Sequence, residues 1–151
     1  MNRPAAPAAS TARPTGIDSP RSVILLQPVV SAEPTWPLAL GLAAAVLRAA
    51  GHEVDGADLQ FDAIAAVERR VSSRRYDWLV TTALDHNADA VGLVIARLRR
   101  LAPSMRVVVT GALATLAPQR ALSACGADAV LRGDPEHTLV ELIAAAWPPP
   151  P

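Results

Sequence analysis

Arg106-Val107-Val108-Val109-Thr110-Gly111-Ala112-Leu113-Ala114-Thr115 is the stretch whose reading decides the fold. Three consecutive valines give a strand that is apolar on both faces. A strand of that kind belongs inside a parallel sheet covered by helices on both sides. Gly111 and the small residues after it then fall just beyond the carboxyl end of the strand. There they leave room for a ligand or a neighbouring backbone.

Working outward, the same strand–helix alternation repeats along the chain. Val23–Gln27 predicts the first strand, stopped by Pro28, with a loop running to Trp36. Pro37 suits a first helical turn, where its missing N–H costs nothing. The helix Pro37–Ala50 carries Leu38, Leu42, Ala45 and Val46 at helical spacing and ends at Gly51. His52–Leu59 reads as an edge strand. Phe61–Val71 reads as a helix with Phe61, Ile64, Ala65 and Val67 inward. Trp78–Leu84 is the third strand, followed by Asp85 as a cap and a helix over Asn87–Leu101.

After the opening stretch, which reads as strand then loop, Pro118–Cys125 predicts a short helix and Ala127–Leu131 a fifth strand. Asp134-Pro135-Glu136 opens the last helix, with Asp134 as its cap. The expected fold is α/β: a flavodoxin-like, doubly wound, five-stranded parallel sheet in the order 2-1-3-4-5. The expected domain spans 22–147. It is preceded by a disordered Pro/Ala-rich leader, 1–21, and followed by a proline tail, 148–151.

Composition narrows the function. The 151 residues are 51% hydrophobic and 19% charged, with formal net charge zero. That excludes a polybasic nucleic-acid binder. A single cysteine excludes an internal disulfide, an all-cysteine zinc site and a self-contained iron–sulfur cluster. No apolar run reaches the roughly 20 residues of a transmembrane helix, and the leader lacks the apolar core of a signal peptide, so a cytoplasmic protein is expected.

In a sheet of this order the ligand crevice lies beyond the carboxyl ends of the strands. Pro28–Trp36, Thr81–Asp85, Gly111–Thr115 and Arg132–Glu136 are therefore the loops that matter. A phosphorelay receiver would need an acidic pair after strand one, an Asp at the end of strand three and a Lys after strand five. Gln27-Pro28, Thr81-Thr82 and Arg132 stand there, and the chain has no lysine. Neither a Gly-x-Gly-x-x-Gly fingerprint nor a hydroxyl-rich phosphate loop is present.

No nucleophile–base pair stands out, and no catalytic or metal-ligating residue is assigned. Cys125 reads as a small core residue and His52 as structural, whereas His86 and His137 start helices on the crevice side. What remains in the crevice is hydroxyls, small residues and backbone. Thr81 and Thr82 donate and accept, Ala83 follows them, Gly111 and Ala112 open space, and Arg132-Gly133 presents a cation at a helix N-terminus. Asp134 is a cap first and a ligand contact second. This set suits binding a large, partly apolar ligand that carries amides and a phosphate. On this reading Gly111→Leu would fill the pocket and leave the protein folded.

The ordered set of motifs resembles the cobalamin-binding domain of B12-dependent radical SAM enzymes. The features are Leu25-Leu26-Gln27-Pro28, the helix-to-strand run from Pro37 to Val54, Tyr76-Asp77, and Gly111–Thr115 followed by Pro118. Gly126-Ala127-Asp128-Ala129-Val130 and Arg132-Gly133-Asp134-x-Glu136 complete it. The resemblance implies a cobalamin whose nucleotide tail enters between sheet and helix. Its contacts would come from the loop near Trp36, from Thr82, from Gly111-Ala112-Leu113 and from Arg132-Gly133. It also implies a separate radical SAM or methyltransferase partner, since the radical SAM cysteine motif cannot be built from one Cys. Val29 to Gly41 contains no histidine, so the resemblance implies a cobalt without a histidine ligand from that loop. Thr110, Leu113 and Pro135 replace residues usual in that family. They motivate the alternative of a non-binding descendant kept as an interaction module.

Overall fold

The computed structural model describes residues 19–29, 31–35 and 37–145. Most of the leader, all of the proline tail, Val30 and Trp36 lie outside them. The apolar runs form strands β1 (Ser22–Gln27), β2 (Glu53–Asp58), β3 (Trp78–Thr82), β4 (Arg106–Thr110) and β5 (Ala129–Val130). They make one parallel sheet in the order β2-β1-β3-β4-β5, as expected from the sequence.

Helices α1 (Leu38–Ala49), α2 (Ile64–Ser73), α3 (Ala88–Leu101), α5 (Pro118–Cys125) and α6 (Glu136–Ala144) alternate with the strands. The helices divide the core in two. Val23, Leu25, Trp78, Val80 and Val108 pack with Leu40, Leu47, Leu139 and Ile143 on the α1/α6 face. Ile24, Leu26, Leu79, Val107 and Val109 pack with Val67, Val91, Ile95 and Cys125 on the other. Among the described residues no helix is long and apolar enough to cross a membrane.

Four local expectations are corrected. Gly111–Thr115 is more than a loop, because Ala112–Leu116 forms a further short helix, α4. In α1 the buried residues are Leu40, Ala43 and Leu47, whereas Leu38 and Leu42 are exposed. The helix is apolar almost all round, so periodicity alone could not choose its buried face. Phe61 precedes α2 in a turn and is 75% exposed, not inward. Asp134 makes no cap hydrogen bond, and Pro135 takes the cap position of α6.

Candidate functional site

Side chains along a strand alternate between the two faces of the sheet. Gln27 therefore shares the α1/α6 face with Val23 and Leu25, Thr82 shares it with Val80, and Thr110 with Val108. Register sets these residues side by side at the carboxyl ends of the strands. Gln27 pairs with Asp58, and Thr82 with Thr110. The row beneath is apolar: Leu25, Val80 and Val108. The sheet thus changes from hydrocarbon to amide and hydroxyl in one step, along the upper margin of a single face.

Two of the three residues in that row are buried, and all three are under-bonded. Gln27 is 6% exposed and Thr110 is 2% exposed. Among the described residues neither side chain has a hydrogen-bond partner, and neither does the Thr82 hydroxyl, although buried polar groups are normally bonded. Thr81 shows the contrast. It faces the opposite side, is fully buried, and donates its hydroxyl to the Leu26 carbonyl at 2.7 Å.

Space adjoins the Gln27 end of the row. A slot of about 310 Å³ runs between α1 and the β1/β2 margin, lined by Leu25, Gln27, Pro37, Leu40, Gly41 and Gly56 among others. It shares Pro37, Gly41 and Asp58 with an outer cleft of about 720 Å³ that also touches Pro34, Leu38 and Phe61. A side chain added at Gly41 or Gly56 would meet nothing within 4 Å. The unbonded Gln27 amide is therefore one wall of an open, mostly apolar slot.

The loops at this pole are tied to one another. The Gly111 backbone has φ +89° and ψ −161°, a region that essentially only glycine occupies. This turn carries the chain from β4 into α4 across the end of β3. There the Leu113 N–H donates to the Ala83 carbonyl at 3.1 Å. Thr115 donates its hydroxyl to the Gly111 carbonyl at 2.9 Å and accepts the Gly133 N–H at 2.9 Å. Arg132 Nε donates to the Thr115 carbonyl at 3.3 Å. Thr115 thus fastens the loop after β5 to the turn after β4.

The residues singled out from the sequence divide accordingly. Thr82, Gly111, Ala112, Arg132, Gly133 and Asp134 are partly or fully exposed at the carboxyl pole. Thr81, Ala83 and Leu113 are buried at the same pole, with Ala83 and Leu113 in the core of the opposite face. Trp36 lies outside the described residues. Sequence reading left Gln27 out of the crevice and named Thr110 only as a departure from the resemblance, whereas strand parity and register put both at the margin of one face. It also missed Gln60, Asn87 and Thr115, whose roles are hydrogen bonds between loops and leave no periodic trace.

The remaining ionisable candidates behave as core or rim. Cys125 is buried against the Ala88 carbonyl, and burial pushes its thiol up, which removes it as a nucleophile. His52 is buried at the amino pole, where its Nδ1 accepts the Arg21 N–H. His86 and His137 are exposed. Among the described residues no three His, Cys, Asp or Glu side chains come together as a metal site.

Comparison with known proteins agrees with this geometry. No curated protein matches the chain. In structure it is similar to TsrM from Kitasatospora setae, a radical S-adenosylmethionine methyltransferase whose structure was solved with cobalamin and a [4Fe-4S] cluster bound. TM-score is 0.76 and identity 23%, over 84% of this chain and 26% of that one. The chain therefore spans about a quarter of that enzyme. A cobalamin-binding protein from Desulfitobacterium hafniense is similar at TM-score 0.62 and 14% identity, over 83% of this chain and 60% of the other. A CheY-like protein from Pseudomonas aeruginosa shares the fold at TM-score 0.60 and 15% identity, over 82% and 99%. These likenesses establish the flavodoxin-like architecture. The family model for the B12 binding domain matches residues 29–143, well over half of the chain, so this protein belongs to the B12-binding domain family.

Proposed function

We propose that the protein is a cobalamin carrier in which the polar row Gln27–Thr82–Thr110 and the loops above it hold the cofactor. The observation that carries this reading is the row of unpartnered polar side chains at the carboxyl pole, one end of which, Gln27, lines an open and mostly apolar slot. The fit is chemical. Cobalamin combines amides, hydroxyls and a phosphate with an apolar base. The site offers an amide and hydroxyls without protein partners above a floor of Leu25, Val80 and Val108.

Each group of this chain has a defined task. Gln27, Thr82 and Thr110 hydrogen-bond polar groups of the nucleotide tail. Gly111 and Ala112 let the tail pass close to the backbone, and Thr115 holds the turn that carries them. Arg132, Gly133 and Asp134 flank the start of α6, where free backbone amides and the guanidinium favour an anion. Thr81, Ala83 and Leu113 act from the interior by keeping the ends of β3 and β4 in register. When bound, cobalamin supplies a cobalt centre suited to methyl transfer, and the protein contributes binding and orientation. The loop Val29–Gly41 offers that cobalt no histidine.

The carrier works beside a second, cytoplasmic protein, a radical SAM enzyme or methyltransferase. Val29, Leu38, Phe61 and Leu116 support this, because all four are exposed and apolar around the carboxyl pole. Large apolar groups gathered at one pole favour a protein contact there. The test is direct: incubate the purified protein with hydroxocobalamin, remove free ligand, and record the visible spectrum. Corrin absorbance that stays with the protein supports the carrier. Its complete loss overturns that reading and favours a descendant retained as an interaction module.

A further inference from the structure

After β1, side-chain amides from two other loops hold the described residues Val29 and Thr35. Asn87 Nδ2 donates to the Val29 carbonyl at 3.1 Å. Asn87 is 7% exposed, and its Oδ1 accepts the Leu84 N–H at 2.8 Å, so the amide is oriented by the turn after β3. Gln60 Oε1 accepts the Thr35 N–H at 2.7 Å while its Nε2 donates to the Thr35 carbonyl at 3.1 Å. Gln60 is itself held by the Asp58 carboxylate, which accepts both its backbone N–H and its side-chain amide. The anchors come from the loops after β3 and β2, so two neighbouring strands determine where the β1–α1 connection lies.

We infer that Gln60 and Asn87 are positioning residues that set the width of the cofactor cleft by strapping the β1–α1 connection at Thr35 and Val29. The strap matters because Pro34, Thr35 and Pro37 form one wall of the outer cleft, while Asp58 and Phe61, which flank Gln60, form the facing wall. Gln60 thus spans the two walls from behind and fixes their separation. This role rests on the cofactor reading above, and it predicts a cleft already at its working width before ligand arrives. A cleft prepared in advance binds more tightly because less ordering is left to binding.

Two substitutions isolate the strap. Asn87→Asp keeps an oxygen for the Leu84 N–H and removes the donor to Val29. Gln60→Met keeps length and removes the side-chain bonds to Thr35 together with those to Asp58. Hydrogen exchange of residues 29–35 and titration with hydroxocobalamin are measured on the full chain, alongside thermal melting. Gln60→Met is expected to exchange the Thr35 amide about tenfold faster, and both variants to leave the rest of the sheet unchanged. Each is also expected to bind hydroxocobalamin about five- to tenfold more weakly, the worth of one hydrogen bond. Unchanged exchange overturns the strap. Faster exchange with unchanged affinity leaves only a structural role and overturns the positioning claim. A wild-type protein that binds no hydroxocobalamin overturns the cofactor reading, and the positioning role falls with it.

Discussion

Gln27 ends a strand with its side chain on the wall of the slot and no hydrogen-bond partner among the described residues, and Thr110 has an unpartnered hydroxyl two strands away. Neither is among the fully buried side chains that lack a partner, so their polar atoms are open to water or to a ligand. Gln27→Leu and Thr110→Val remove the polar atoms and keep most of the volume. Each should therefore fold with a stability within about 1 kcal/mol of wild type in chemical denaturation. A larger loss of stability in both variants would mean that the groups are bonded within the protein. Gly111→Leu is a poorer probe than the sequence alone suggests. The added Cβ would sit 3.5 Å from Thr82 Cβ, an ordinary contact, but φ +89° strains any other residue by about 1–3 kcal/mol. His52 gives a prediction of another kind. Burial first, and then the neighbouring Arg21 charge, lower its pKa from the ordinary 6.5. Below pH 6.5 the unfolded chain takes up a proton that the folded protein resists, so stability falls as pH drops through that value toward the lowered one. Melting temperature should decline between pH 7.5 and 5.5, and His52→Asn should flatten that decline. An equally steep profile in the variant would assign the effect to other groups.

At the scale of elements, the strands were legible and their neighbours less so. Val107–Val109 and Leu25-Leu26 could only be interior strands, and once they were parallel the helix alternation left one common order. Face and loop geometry were harder. Leu38 and Leu42 look as apolar as Leu40 and Leu47, and only packing against β1 and α6 separates them. Phe61 reads as core by type but lines the outer cleft. The short α4 depends on the Gly111 turn and on Thr115 bonding back to it, neither of which has a periodic signature. One contact between elements is unusually close. A Cβ at Gly92 in α3 would lie 2.1 Å from the Ala124 carbonyl oxygen of α5. Gly92→Ala should push the two helices apart and cost about 3 kcal/mol, lowering the melting temperature by about 10 °C. A melting temperature within a degree or two of wild type would show that α5 shifts freely.

For the whole molecule, the same scaffold serves receivers and cobalamin domains, so function depends on what stands at the carboxyl pole. The sequence already set receiver chemistry aside there, with Gln27-Pro28 in place of an acidic pair and Arg132 in place of a lysine. It also pointed to Thr82, Gly111 and Arg132. That Gln27 and Thr110 share one face became visible only when register aligned them. The central claim is that this row holds the cofactor, and a spectral titration tests it most directly. Hydroxocobalamin is titrated into wild type and into the Gln27→Leu/Thr110→Val double variant, with folding checked by circular dichroism. The account predicts a folded variant of similar stability whose affinity is weaker by about 25- to 100-fold, two hydrogen bonds' worth. A folded double variant that binds as tightly as wild type would contradict it.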